Sequence, residues 1–203
     1  MRATILVVCL LAVAAIFADG CHSKAVDKAE FRSALNSYYS SRPDCLWPQP
    51  VKFPQQAATK DESQTEGYDA LTDAGLLVRK AAEKKRFLIG SKQVNDYDLS
   101  AQGRSDWTPD TSEPGYGNFC FGSPKVTSID NFNPPGTDAT RYTVTYHYGI
   151  DLPSWANTAE IKTAFPRTAA ESNGAPASAT LAKNGSTWQV ENVNSDASLA
   201  TGQ

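Results

Sequence analysis

The stretch YDALTDAGLLVRK (residues 68–80), with YDLSAQGRS (97–105) after it, determines how the first half of the chain folds. Tyr68, Leu71 and Ala74 share one face at helical spacing, which predicts a helix over 62–75. Gly75 is its natural stop, because glycine takes the left-handed conformation at a helix C-terminus without steric cost. Leu76-Leu77-Val78 then starts a strand. A charged segment follows, and Phe87-Leu88-Ile89 and Tyr97-x-Leu99 are the returning apolar segments of a hairpin. Ser100 is placed to cap a short helical turn running through Arg104.

That order (helix, Gly-Leu-Leu, strand, loop, then Tyr-x-Leu-Ser-x-x-Gly-Arg) resembles the end of a winged-helix domain. Residues 69–77 match the helix end and the start of the wing. Residues 97–104 match the strand that closes the wing, with its cap. The resemblance implies a fold and not an activity. A DNA-reading helix needs basic and polar side chains free to reach base edges. Residues 61–75 carry five acidic residues and no Lys or Arg, so phosphate would repel them. No nucleic-acid partner is expected. The wing itself is basic, with Arg79, Lys80, Lys84, Lys85 and Arg86 against Glu83. Such a set is commonly just a solvated hairpin tip. The functional alternative is contact with anionic lipid head groups or with an acidic partner.

The N-terminus points away from the cytoplasm. Arg2 precedes an uncharged apolar run of 16 residues, Ala3 to Ala18. That is short for a membrane span, which needs about 20, and right for a signal core. Ala18-Asp19-Gly20 fits small-x-small cleavage before Cys21. The text FADGC resembles a lipobox, which implies that Cys21 is lipidated and residues 21–25 form a tether. With His22 following, enterobacterial sorting logic implies the periplasmic face of the outer membrane. Plain secretion and a retained anchor are the alternatives. Losing residues 1–20 removes Arg2 and Asp19, so the mature charge stays at −3. A mildly acidic chain has no global claim on nucleic acid.

Of the four cysteines, Cys9 leaves with the signal and Cys21 takes lipid. Cys45 and Cys120 remain as an even pair in an oxidising compartment, and we predict that they form a disulfide. Closing that loop stabilises the fold by at most about 4 kcal/mol in the chain-entropy model.

A first helix is expected from Asp27, with Glu30 at capping-box spacing and Val26 and Phe31 as a hydrophobic staple. Phe31, Leu35, Tyr38 and Tyr39 form its apolar stripe, and it stops near Ser41, before Pro43. PDCLWPQPVKFP (43–54) holds four prolines and reads as an extended strap packing Leu46, Trp47, Val51 and Phe53 inward. Trp47 is expected to shield the disulfide, with ligand stacking as its functional alternative. Residues 105–118 read as a polar linker loop between a winged-helix-like half (26–104) and an antiparallel β half (119–193).

In the second half, Lys125–Ile129 reads as a strand and 131–140 as a turn. RYTVTYHYGI (141–150) alternates, with Tyr142, Val144, Tyr146 and Tyr148 on one face. One helix is expected from a cap at Asn157 to Pro166, then a loop at 171–178. Residues 179–193 read as a hairpin turning at Asn184-Gly185. Residues 194–203 are expected to be a flexible tail. The expected class is therefore α+β, a winged-helix-like half packed on a small antiparallel sheet with one helix.

The sequence selects no catalytic residue. His147 lies mid-strand on a polar face, and no nucleophile motif, metal-binding spacing or phosphate loop occurs. No metal and no cofactor are expected. Carboxylates are plentiful, but nothing selects a pair of them. Asp151 and Trp155 bracket a strand-to-helix corner, and Tyr146, Tyr148 and Trp155 are the candidates for a binding groove.

Taken in order, Cys45-Leu46, DALTDAGLL (69–77), YDLSAQGR (97–104), FCFG (119–122), YTVTYHY (142–148) and LPSWA (152–156) resemble a group of envelope lipoproteins of Gram-negative bacteria. The resemblance implies an exported, disulfide-linked, lipid-anchored protein. It implies no activity, cofactor or catalytic residue. Two functions are then expected to compete. One is a non-catalytic binding or accessory module with an envelope protein partner. The other is a small periplasmic hydrolase using two carboxylates. The first calls for an exposed aromatic groove, the second for two convergent acids in a pocket with at least one shifted pKa.

Overall fold

The structure, a computed structural model, describes residues 27–86, 90–135 and 139–194, without the side chains of residues 64, 84–86, 90 and 91. The signal segment, Cys21, the tether, residues 87–89 and the tail from 195 lie outside the described residues.

Helix α1 (Lys28–Ser40) starts at Asp27, whose side chain accepts from the Ala29 amide. Glu30 Oε2 accepts from the Trp188 indole at 3.3 Å, where α1 packs on a distant sheet. The strap contributes three short strands: β1 (Asp44–Cys45), β2 (Val51–Lys52) and β3 (Gln55–Ala58). Then come α2 (Glu62–Asp73), β4 (Leu77–Arg86), β5 (Gly90–Leu99) and α3 (Ala101–Asp106). Strands β3, β5 and β4 form an antiparallel sheet in that order.

The junction of this unit explains the opening motif. Gly75 sits at φ +79°, turning the chain out of α2. Ser100 then donates from its amide to the Leu76 carbonyl (3.0 Å) and from Oγ to the Gly75 carbonyl (2.6 Å). The same Oγ accepts from the Gly103 amide at 2.8 Å and so caps α3. A Cβ on Gly103 would lie 1.9 Å from the Leu76 carbonyl oxygen. Leu-Ser-x-x-Gly is thus the clasp that joins β5 and α3 to the end of α2.

The segment read as a linker is not one. Strand β6 (Trp107–Pro109) follows α3 directly and pairs with β7 (Tyr116–Gly122), which also pairs with β1 and β2. Cys45 and Cys120 are direct cross-strand partners, and the disulfide is formed.

The remaining strands are β8 (Lys125–Asn133), β9 (Arg141–Gly149), β10 (Ala175–Asn184) and β11 (Thr187–Asn194), in the antiparallel order β11-β10-β9-β8. Between β9 and β10 lie a 3-10 turn (Ser154–Asn157), α4 (Ala159–Ala164) and α5 (Pro166–Ser172). Two helices replace the single one expected. Pro166 ends α4 but sits in the first turn of α5, where its missing amide costs nothing. Thr158, not Asn157, caps α4. Asn184 pairs with Thr187, so the last hairpin turns at Gly185-Ser186, one residue later than expected, with Gly185 at φ +61°.

Two cores result, and they cross the expected division of the chain. In one, α1 lays Phe31, Leu35 and Tyr39 on the inner face of β8–β11, against Tyr142, Val144, Tyr146 and Leu181. Each such side chain stabilises by about 1.5–3 kcal/mol on burial. Along the flank of α1, Lys28, Arg32 and Asn36 bond backbone groups of β8 and cover that edge strand. In the other core, Leu71, Leu76, Leu77 and Tyr97 meet Phe119, Trp155 and Ile161. Helix α1 therefore belongs with the C-terminal sheet, and the segment around 155–161 packs with the N-terminal unit. The fold is mixed α+β with antiparallel sheets. Among the described residues no helix is long and apolar enough to cross a membrane.

Candidate binding groove

The residues picked as a groove do not make one. Tyr146 and Tyr148 are 0% and 5% exposed in the first core, and Trp155 is 6% exposed in the second. The alternation of β9 does give one buried and one wet face, but α1 covers the tyrosine face. The Tyr39 and Tyr146 hydroxyls satisfy each other at 2.5 Å, so these hydroxyls need no contact with water.

An open aromatic groove lies elsewhere, around Trp47. Between β1 and β2 the strap runs through Pro48 and Pro50 and forms no strand, so Trp47 is held from outside. The Asn118 side chain accepts from the Trp47 amide (3.2 Å) and donates to its carbonyl (2.7 Å). The disulfide two residues away fastens the same strap to β7. The indole packs edge-on against Phe165 (centroids 5.9 Å) and tilted against Tyr68 (6.3 Å), all three half-buried. Gly67 lets Phe165 approach α2, since a Cβ there would lie 3.0 Å from the Phe165 ring. These aromatics, the β3 residues Gln55–Ala57, and Ser63 and Glu66 of α2 enclose about 490 Å³. That volume lies within the range of ligand sites.

A second groove of about 640 Å³ lies on the other side of Trp47, walled by strap prolines and the disulfide. At its edge Arg167 of α5 binds Asp44 at 2.8 Å and, through Nε, Glu171 at 3.2 Å. Burial raises the Glu171 carboxyl above its ordinary value, with Asp44 adding to the effect and Arg167 opposing it. Burial likewise raises Asp44, against the opposing Arg167. Glu171 Oε2 is buried with no hydrogen-bond partner among the described residues. Two acids therefore converge, as a hydrolase would require. One guanidinium stands between them, however, and the Glu171 side chain, 9% exposed, packs into protein. A carboxylate pair that works on a substrate must instead flank the scissile bond.

His147 is exposed on the wet face of β9, where sequence placed it. Its Nδ1 lies 2.7 Å from Asp130 Oδ2, and Ser128 Oγ donates to Asp130 Oδ1 at 2.8 Å. The hydroxyl thus binds the acid and not the imidazole, so the three residues do not form a nucleophile–base–acid relay. Among the described residues no group of three His, Cys, Asp or Glu is placed to hold a metal.

The basic residues read as a wing lie on the β4–β5 hairpin. Arg79 folds back to bind Asp69 of α2 at 2.7 Å, and the Tyr97 hydroxyl donates to the same carboxylate. Lys80 is exposed, with Asp96 opposite it in the ladder. Backbone register places Lys84 opposite Lys92, Lys85 opposite Ser91 and Arg86 opposite Gly90. The side chains of Lys84, Lys85 and Arg86 lie outside the described residues.

Sequence reasoning named Trp47 but missed Tyr68, Phe165, Glu66, Arg167 and Glu171 as site residues. Arg167 and Glu171 fall where a helix end and a loop were expected, and no local signal marks either one. Compared with known protein families, with curated proteins and with solved structures, the chain has no match.

Proposed function

We propose that the protein is an exported, lipid-anchored envelope protein that acts as a non-catalytic binding module. Residues 1–20 are removed and Cys21 carries the lipid at the periplasmic face of the outer membrane. The Trp47 groove takes a partner from the envelope. The observation that carries this reading is the groove itself: Trp47 on a braced strap, with Tyr68 of α2 and Phe165 between α4 and α5, three half-buried aromatic side chains open to solvent. The Cys45–Cys120 bond fits an oxidising compartment.

The N-terminal unit is proposed to be winged-helix-like. Its support is the sheet order β3-β5-β4, the placement of α2 between β3 and β4, and the Ser100–Gly103 clasp. Arg79 is paired with Asp69, whereas Lys80 is exposed. Contact with anionic head groups is accordingly proposed for Lys80, Lys84, Lys85, Arg86 and Lys92.

The test is crosslinking and pull-down of the mature protein from its native envelope, with Cys21→Ala and Trp47→Ala as controls. Cys21→Ala is expected to release the protein from the membrane fraction, and Trp47→Ala to lose its partners. A cytosolic product that keeps Met1 and has free thiols at 45 and 120 would overturn the reading.

A further inference from the structure

Strand β3 is an edge of its sheet, with β5 on one side and no strand on the other among the described residues. Its outward groups follow from parity. Thr59 donates to the Gln93 carbonyl at 3.3 Å, continuing the register in which Gln55 faces Tyr97 and Ala57 faces Asn95. Residues 59, 57 and 55 therefore turn their amides and carbonyls toward β5, and Gln56 and Ala58 turn theirs away. The Ala58 carbonyl is taken by the Asp61 amide at 3.0 Å. That leaves the amide and carbonyl of the exposed Gln56, and the amide of Ala58, a residue 6% exposed, turned outward in a row with no partner among the described residues. Neither glutamine side chain is free to cover that row with its amide nitrogen. Gln55 Nε2 donates to the Lys52 carbonyl (2.6 Å) and Gln56 Nε2 to Asp96 (2.8 Å).

Gln55, Gln56 and Ala57 also line the Trp47 groove. Beside them stand Trp47, Tyr68 and Phe165. Glu66 is the groove's charged lining residue, and α2 carries acid and no base from Asp61 to Asp73.

Resting on the reading of this groove as a binding site, we infer that its occupant is an extended, lysine- or arginine-bearing segment of another polypeptide. The segment pairs with β3 as an added strand, seats an apolar side chain among Trp47, Tyr68 and Phe165, and sets a cation against Glu66. Main-chain bonding supplies affinity and alternate side-chain seats supply selectivity, as in other strand-addition complexes. A row of three outward groups makes a short ladder, so the apolar seat and the charge contribute much of the discrimination.

The probes are three synthetic hexapeptides: one alternating lysine with valine and phenylalanine, its glutamate counterpart, and the lysine peptide with alternate amides N-methylated. Each is titrated into the mature protein, with amide hydrogen exchange at Gln56 and Ala58 as a second readout. The lysine peptide is expected to bind at least tenfold tighter than either control and to protect both amides. Glu66→Gln is expected to weaken it roughly threefold to tenfold. Gln56→Pro removes an outward amide and leaves the backbone ladder to β5 intact, giving up only the exposed Gln56–Asp96 side-chain bond, so the melting temperature should fall by no more than Gln56→Ala lowers it while binding falls tenfold or more. Equal binding of the N-methylated peptide, or by Gln56→Pro, would overturn strand addition and leave the groove reading standing. The same holds if a hexamer of N-acetylglucosamine binds in a Trp47-dependent way and the peptides do not. If Trp47→Ala changes neither peptide binding nor envelope capture, the groove reading itself falls.

Discussion

Asn118 holds Trp47 by its backbone, not by its ring, with one hydrogen bond to the amide and one to the carbonyl. The strap offers Trp47 no ladder of its own, so these two bonds set where the indole stands. Asn118 is 9% exposed, and removing its amide would leave both Trp47 backbone groups unmatched next to a core. Asn118→Ala is expected to cost about 2–3 kcal/mol, at about 1 kcal/mol or somewhat more per orphaned group. For a chain of this size that is a fall in melting temperature of about 5–10 °C. Asn118→Asp keeps the acceptor for the Trp47 amide but puts an oxygen against the carbonyl, so it should not rescue. Thermal unfolding followed by circular dichroism checks both. If Asn118→Asp is as stable as the parent, the donated bond contributes nothing.

Gly103 tests the clasp. By helix propensity alone, Gly103→Ala in α3 should stabilise by up to about 1 kcal/mol. With the Leu76 carbonyl oxygen 1.9 Å from the added carbon, backbone must move instead. A net loss of about 2 kcal/mol or more is expected, within the range of overpacking. Ser100→Ala, which removes only the cap, should cost about 1 kcal/mol. Urea unfolding separates the two, and a stabilised Gly103→Ala would show that the junction gives way freely.

The clasp was legible in the sequence because its parts are fixed by short-range chemistry. A helix stop at Gly75 and a cap at Ser100 announce themselves through residue type. The apolar stripe of α1 was legible too, as was the alternation of β9. What periodicity cannot give is the partner of each face. Phe31, Leu35 and Tyr39 say that α1 has a buried side, not that β9, more than 100 positions away, lies under it. The same gap misled the groove assignment, because Tyr146 and Tyr148 carry polar tips that a solvent-facing site could use. Tyr39 supplies the partner for Tyr146 inside the core. The Trp47 groove draws on residues 47, 55–57, 63–68 and 164–165, four separate segments, so no window of sequence displays it.

The Tyr39–Tyr146 pair makes a further prediction. Both side chains are at least nine-tenths buried and their hydroxyls lie 2.5 Å apart. Removing one hydroxyl strands the other, whereas removing both leaves an apolar contact of nearly the same shape. Tyr146→Phe and Tyr39→Phe should each destabilise by about 1–2 kcal/mol, and the double variant by less than their sum. A double-mutant cycle measures the coupling, and strict additivity would mean that the two hydroxyls do not depend on each other.

On the β4–β5 hairpin, backbone register sets Lys84 opposite Lys92, and like charges at directly opposite positions weaken a hairpin by a few tenths of a kcal/mol. Lys84→Glu should therefore raise the melting temperature slightly. It should also weaken sedimentation with phosphatidylglycerol vesicles by roughly tenfold or more, since each basic charge near an anionic surface contributes about 1 kcal/mol. Both proteins are compared in the unlipidated Cys21→Ala background, where binding to phosphatidylcholine vesicles should be absent. A variant that gains stability without losing vesicle binding would assign the β4–β5 hairpin no role at membranes.

The Asp44–Arg167–Glu171 cluster makes stability depend on pH in a definite direction. Burial raises both carboxyls above their ordinary values, and Arg167 opposes the rise in each. Tyr148, raised by burial and by Glu171, and Tyr39, raised by burial and to a lesser extent by Asp44 and Glu171, stay neutral through the range where the carboxyls titrate. A carboxyl whose native pKa exceeds the unfolded value, about 4.3 for glutamate, holds its proton longer when folded. Its contribution to stability is complete below the unfolded value and is lost as pH rises through the native one. Glu171→Gln keeps an acceptor for Arg167 Nε and leaves Asp44 and Arg167 as a balanced pair. It should match the parent near pH 4 and exceed it near pH 7, with a gap in melting temperature that opens as pH rises. Arg167→Met should do the reverse, because it leaves two acids facing each other without a cation. Its loss should be about 2 kcal/mol near pH 7, below the 3–5 kcal/mol of a fully buried pair because the guanidinium is half exposed, and it should shrink on acidification. Melting temperatures of the three proteins across pH 4–8 decide the matter. A constant gap between parent and Glu171→Gln would mean that Glu171 titrates as it does in the unfolded chain.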